Sequence, residues 1–397
     1  MGLGALSGCG SGQGSGASTH GTATGTPIYV EHEDGYPAGG QPAQPEIEAS
    51  IQAEFDAVNA AGGIDGHPVK LITCLDHADP NQARTCANQA VENSKIVATL
   101  DDNSNEYQIV NPIMEAAHLA QIGPYVHGTE VLQCTVCFPI SGGGVVDTAA
   151  MGLMLHTIYH ADSLDMAIPS VPGAQVALNQ NKQLFLSLVT NGKVGEQVFP
   201  LTVADYSPYV AAAKSYQGTE LLAGGPVVIS WLTTAKSEGV SGNYSMLAVA
   251  TTPQVLSQGG SLLNGVLVPT DTRLPTSSVP GAKLYRSEVQ KYAPGTLIDQ
   301  GALYGWMAAK MFTDVAKTIK GPITRASVLN AMRHITNYTG LGGLIPPYST
   351  TKKFTGFGGQ APYLFDPYAF PVKIENGKLV EIGNTFINPF TGQQLSS

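Results

Sequence analysis

One stretch, from Glu46 to Leu100, spells a complete helix, strand, helix, strand unit with its stop signals in place. Ile51, Phe55 and Val58 recur at spacings of four and three, which predicts a helix with one apolar face. Gly62-Gly63 ends it, because a left-handed residue after the last turn costs least as glycine. Asp65-Gly66 is a turn, and Val69 to Thr73 a short apolar strand. Asp79-Pro80 supplies an N-cap followed by proline at the first helical position, and Ile96 to Leu100 is the next strand. Two strands joined through a helix belong to a parallel sheet, so the fold class is α/β.

Composition limits what such a chain can do. At 397 residues it is too long for one ordinary core and suits two lobes of about 150 residues each. The formal charge of -10, with no Lys/Arg cluster, excludes a nucleic-acid surface. Even the most apolar region, Ala149 to Ile168, is interrupted by His156, His160, Asp162 and Asp165, so no membrane span is predicted.

The segment F-D-A-V-N-A-A-G-G-I-D-G-H-P-V-K-L, followed by D-P-N-Q-A, resembles the substrate-binding proteins of ABC importers of the branched-chain amino acid type. Supporting resemblances run from Asp205 to Lys214, from Leu221 to Pro226 and from Gly265 to Pro269. The resemblance implies a two-lobed type I periplasmic-binding-protein fold, each lobe a parallel sheet flanked by helices, with three crossovers at the hinge. The turn signals then place crossovers near 139–144, 268–272 and 340–347. Residues 1–26 would be a leader and tether, 27–140 plus 270–345 the first lobe, and 141–269 plus 346–397 the second.

Leu6-Ser7-Gly8-Cys9 resembles a lipobox, at which a bacterial lipoprotein is cleaved and its cysteine lipidated. The Gly/Ser/Thr run that follows has the composition of a flexible tether. Only eight residues precede Cys9 and none is basic, a shortfall expected of a start site assigned too late or of a truncated chain; chance in a glycine-rich leader is the alternative. The expected location is extracytoplasmic, with membrane contact only through the lipid anchor.

The other cysteines number four, Cys74, Cys86, Cys134 and Cys137, an even count that suits an oxidising compartment. A bridge between Cys74, closing a strand, and Cys86, on the helix beside it, is geometrically reasonable. Cys134 and Cys137 have redox-motif spacing, but Phe138-Pro139 follows where a thioredoxin-like site needs a helix. Structural disulfides, free thiols and a metal or redox role are the readings, and sequence alone leaves the pairing open.

In open parallel sheets ligands bind beyond the carboxyl ends of the strands. The loop after Leu100 carries Asn103, Ser104 and Asn105, and the resemblance implies that Ser104 holds a ligand carboxylate; helix capping is the alternative. Asp101 and Asp102 would repel an anionic group, and suit a cationic or hydroxyl-rich ligand or point to solvent. Tyr125 matches the second ligand loop, and Ser170 lies where the amino-acid binders present an aromatic residue. Leu247 to Pro253 contains no acid where those binders pair a carboxylate with the ligand's ammonium, so an ordinary α-amino acid is not the first expectation; Thr251 and Thr252 remain as hydrogen-bonding candidates or as caps. Tyr304 and Trp306 match positions of aromatic rings near the cleft, with core packing as the alternative.

His156 and His160 have metal-ligand spacing but lack the glutamate of a zinc-protease motif, and no nucleophile elbow or P-loop occurs. No cofactor, metal or catalytic residue is expected. The function predicted is capture of a small polar molecule by a monomer that delivers it to an ABC permease in the membrane, with a sensor or receptor module of the same fold as the alternative. Amides, aromatic acids, hydroxy acids and unusual amino acids all remain open as ligands.

Overall fold

The apolar stripe of the opening helix fixes the first layer. In the computed structural model, which describes residues 23–38 and 42–396, Ile51, Phe55 and Val58 are all buried. They lie on α1 (Pro45–Ala60), which follows β1 (Ile28–Asp34). Gly63 takes φ 75°, and a Cβ there would stand 2.3 Å from the carbonyl of His67, so only glycine closes this turn into β2 (Val69–Leu75). Asp79 caps α2 (Pro80–Glu92) by accepting from the backbone N–H groups of Asn81 and Gln82 at 2.9 and 3.0 Å. The first sheet is completed through β3 (Ile96–Leu100), α3 (Tyr107–Ala116), β4 (Ala120–Ile122), α4 (Thr129–Gln133) and β5 (Cys137–Phe138). Its order is β2-β1-β3-β4-β5, with every pairing parallel.

The chain then leaves for a second sheet by way of α5 (Gly143–Tyr159). There it builds β6 (Ser163–Pro169), α6 (Ala174–Leu188), β7 (Lys193–Phe199), α7 (Ser207–Ala213), β8 (Gly218–Leu221), α8 (Gly225–Ser237), β9 (Asn243–Met246), α9 (Pro253–Gly259) and β10 (Leu267–Thr270). After β10 it returns to the first lobe as α10 (Pro280–Tyr292), α11 (Gln300–Ala316) and α12 (Arg325–Arg333). Helix α11 packs on α1, with Phe55 and Phe312 edge to face at 6.4 Å between centroids. Trp306 on this helix is fully buried and donates to Glu288 at 2.7 Å, so it is a core residue.

The chain finally crosses back to add β11 (Phe370–Glu375) antiparallel to β10 and β12 (Lys378–Glu381) antiparallel to β11, followed by a hairpin of β13 (Thr385–Ile387) and β14 (Gln394–Ser396). The second sheet runs β12-β11-β10-β9-β8-β6-β7. This last crossing departs from the sequence reading. Residues assigned there to the second lobe after 345 still bond to the first: Tyr348 donates its hydroxyl to Pro139 at 3.1 Å, Tyr363 its N–H to Leu132 at 3.0 Å, and Phe365 stacks on Phe138 at 6.1 Å. The glycine and proline run at 340–347 is a turn within the first lobe, and the chain leaves that lobe only after Phe365.

Both cysteine pairs are bonded, Cys74 to Cys86 across β2 and α2 and Cys134 to Cys137 between the end of α4 and the start of β5, with Cα atoms 5.7 and 5.3 Å apart. Cys9 lies outside the described residues. Among the described residues no helix is long and apolar enough to cross a membrane.

β1 is the surprise of the first lobe. Its sequence I-Y-V-E-H-E-D looks half polar, yet Glu31, His32, Glu33 and Asp34 are all buried in the middle of the sheet. Burial pushes the Glu31 carboxyl up to about 8 and the Asp34 carboxyl to about 6, and holds the His32 imidazole down at about 4. Neutral forms are what a buried strand tolerates without counter-charges.

Candidate ligand-binding site

The carboxyl ends of the first-lobe strands deliver acids and aromatic rings to one edge of the sheet. β1 ends in Asp34, with Tyr36 two residues on; β2 is followed by Asp76; and β3 by Asp101 and Asp102. Asp101 turns the chain in the left-handed region at φ 43°, a conformation aspartate tolerates better than most residues. Its N–H is held by Ile122 at 2.9 Å. Asp102 is fully buried, its carbonyl accepting from the Tyr125 N–H at 2.9 Å and from the Tyr107 hydroxyl.

The residues expected to bind a ligand divide into two groups. Ser104 is fully buried, its hydroxyl donating to Asp76 and accepting from the Glu106 N–H at 3.0 Å. That hydroxyl has its partners already and braces the loop ahead of α3, whose N-cap is Glu106 without a side-chain cap, so Ser104 does not cap the helix. Asn103 is half-buried, donating to Gln44 at 3.2 Å and standing 3.2 Å from the ring nitrogen of His127, while Asn105 is exposed on the rim.

From His127 a row of rings leads toward the hinge. The His127 and Tyr125 centroids are 4.7 Å apart, and those of Tyr125 and Tyr304 5.5 Å. Both tyrosines are partly exposed. The Tyr304 hydroxyl donates to the carboxylate of Asp271, immediately after β10, whose other oxygen accepts from the Gly143 N–H at 2.9 Å. Tyr304 on α11, Tyr125 after β4 and Asp271 on the second crossover therefore form one contact chain.

Two acids that the sequence reading did not single out complete this corner. Asp271 is fully buried, and burial raises its carboxyl against the lowering effect of hydrogen bonds from Ser141, Tyr304 and Gly143. Asp147, on α5 just past the first crossover, is raised well above the carboxylate range by burial and then by the charge of Asp271; its Oδ1 has no hydrogen-bond partner. Burial first, and then these two acids, push the Tyr125 phenol up, so all three groups share one environment. Both acids are legible in hindsight, because in a chain only 13% charged, against about 25% in a typical domain, an aspartate inside G-G-V-V-D-T-A-A-M or L-V-P-T-D-T stands out.

The second-lobe candidates are small polar groups in the loops that follow β6 and β9. Ser170 follows β6 and is exposed, its N–H held by Phe199 at 2.7 Å. The Thr251 hydroxyl donates to Ala248 at 2.7 Å, and Thr252 caps α9 by accepting from the Val255 N–H at 3.3 Å. Thr252 thus performs the capping role, and neither threonine touches the first-lobe residues through these bonds. A cavity of about 690 Å³ opens on the flank of α5 and α6, lined among others by His127, Thr148, Asn181, Gln360 and Phe390, so it shares His127 with the ring row. Among the described residues no group of three or more His, Cys, Asp or Glu side chains is arranged to hold a metal ion. His156 instead pairs with Asp162 at 2.8 Å.

Two α/β lobes joined by crossing segments, with polar loops at the carboxyl ends of their strands, have the architecture of a solute-binding protein. The family model of the periplasmic binding proteins matches residues 37–361, and the chain belongs to that family. Solved structures similar to it include a leucine-binding protein from Thermotoga maritima, 16% identical with TM-score 0.68, covering 92% of this chain and 99% of that one. A fatty acid ABC transporter substrate-binding protein from Thermomonospora curvata is 19% identical with TM-score 0.68, covering 95% and 94%. A branched-chain amino acid transporter substrate-binding protein from Streptococcus pneumoniae, solved with isoleucine, is 11% identical with TM-score 0.69, covering 89% and 98%. No curated protein gives a significant match.

Proposed function

We propose that this solute-binding protein works outside the cytoplasmic membrane, closing its two lobes on a small polar molecule and presenting it to an ABC importer. The observation that carries the site is the Tyr125, Tyr304 and Asp271 chain, in which a strand-end loop, a first-lobe helix and a crossover meet. A solute against these rings contacts the first lobe beside the hinge, and closure brings Ser170 and Thr251 toward its far side. Contacts made from both lobes favour the closed state, which a permease can distinguish from the open one. The similar structures are named for transporters of branched-chain amino acids and of fatty acids, which supports the transport reading while leaving the solute of this chain to be identified.

Tyr125 and Tyr304, with Asn103 at the rim, are proposed as the ligand contacts of the first lobe, and Ser170 and Thr251 as those of the second. Cys9 is proposed as the lipidated residue that would tether the protein to the membrane through its Gly/Ser/Thr run. The test is a thermal-shift screen of amino acids, amides, carboxylic acids, amines and sugars. A solute at a hundred times its Kd adds about 2.7 kcal/mol to stability, enough to raise the midpoint by several degrees. A panel that shifts nothing, from protein that releases no small molecule on denaturation, would remove the proposal.

A further inference from the structure

The corner beside the hinge has a chemical bias. Asp147 and Asp271 are both buried where two crossovers converge, Gly143 at the start of α5 donating to Asp271 and Asp147 following on the same helix; Asp271 is met by neutral donors, and the Oδ1 of Asp147 has no partner. The ion pairs of the described residues involve other acids: Arg273 pairs with Glu381, the paired lysines with Glu196, Asp314 and Glu375, and His156 with Asp162.

We propose that the solute carries a cationic nitrogen, seated against the rings of Tyr125 and Tyr304 with the carboxyl groups of Asp147 and Asp271 behind it; this rests on the solute-binding reading above. A cation over aromatic faces is attracted by the ring quadrupoles, and more so when water is excluded. An anion at the same seat meets no counter-charge and would hold both carboxyl groups in their protonated forms. Burial disfavours the ionised forms of both acids, and a cation beside them offsets that cost and favours their ionisation on binding. The polarity also matches the second lobe, where the Leu247 to Pro253 loop contains no acid, so the charge partner for an ammonium comes from the hinge.

Isothermal titration calorimetry on the full 397-residue chain tests this with choline, putrescine, octanoate, glucose and 3,3-dimethylbutan-1-ol, the neutral carbon counterpart of choline. The expected result is saturable binding of choline or putrescine at least about tenfold tighter than any uncharged or anionic probe, the factor that one ordinary charge contact supplies. Asp147→Asn, which keeps the side-chain shape, is expected to weaken that binding about tenfold, and Tyr125→Leu to weaken it by a similar factor through loss of the ring. Preference for octanoate, glucose or the neutral alcohol would overturn the inference and leave solute binding standing. If no probe binds, small molecules released from the purified protein are identified by mass spectrometry. A cationic one upholds the inference, a neutral or anionic one overturns it, and none at all overturns the solute-binding reading with it.

Discussion

The hydroxyl of Tyr304, on a helix of the first lobe, donates to the carboxylate of Asp271, on the segment that carries the chain out of the second-lobe sheet. One hydrogen bond thereby ties a candidate ligand-contact ring to the hinge. Tyr304→Phe keeps the ring and removes the donor. The expected cost is about 1–2 kcal/mol of stability, since Asp271 retains Gly143 and Ser141 as partners. Thermal denaturation of the purified variant measures it, and an unchanged midpoint would show that the bond contributes nothing.

Ser104→Ala separates a bracing role from a binding one. The hydroxyl bridges Asp76 and the Glu106 backbone in a site closed to solvent, so its loss is expected to destabilise the first lobe by about 1–3 kcal/mol. Affinity for the solute should change less than about threefold, because the hydroxyl is already committed. A large loss of affinity at unchanged stability would return Ser104 to the binding site.

The buried acids give stability a definite slope with pH. Glu31, Asp102 and Glu220 are raised to about 8, chiefly by burial, and Asp34 to about 6, so above the ordinary carboxylate range the folded chain holds protons that the unfolded chain has released. Their contribution is complete below the unfolded value and fades as pH rises through the folded one. His32, lowered to about 4, acts in the opposite sense, its contribution present above 6.5 and lost as pH falls toward 4. Between 6.5 and about 8 only the carboxyl groups change, and the melting midpoint is expected to fall across that interval. A midpoint that stays level or rises there would mean that these acids are ionised in the folded protein.

Reduction should cost stability at the edge of the first lobe. The Cys74 to Cys86 bridge spans a separation of 12 residues, and a loop of that size gives about 3 kcal/mol in the chain-entropy model. The double variant Cys74→Ser, Cys86→Ser is expected to melt several degrees lower than the oxidised parent and to lose its response to dithiothreitol at this bridge. Identical midpoints would show that the bridge does not hold β2 to α2.

The fold was legible where local chemistry and long-range packing agree. The Ile51, Phe55 and Val58 stripe, the Gly62-Gly63 stop and the Asp79 cap act within a few residues of themselves, and each performs in the structure the role its spacing implies. β1 was hidden because its Glu31, His32, Glu33 and Asp34 obey no apolar period, and only burial explains how they reside in a central strand. The third crossover was misplaced for a related reason: Gly340 to Pro347 carries every local sign of a boundary, whereas Tyr348, Tyr363 and Phe365 are held to the first lobe by partners about two hundred residues away. At the site, the strand-end loop order led to Tyr125, while Tyr304 on α11 came from the family resemblance. Asp147 and Asp271 stand out singly as rare charges, but their meeting was not legible, because it depends on two crossovers converging.

The most direct test of the account is small-angle X-ray scattering of the chain with and without the solute that raises its melting midpoint most. Hinge closure predicts a radius of gyration that falls on saturation and returns when the solute is dialysed away, with the half-point of the change at the calorimetric Kd. A radius of gyration unchanged at full occupancy would contradict capture between the lobes.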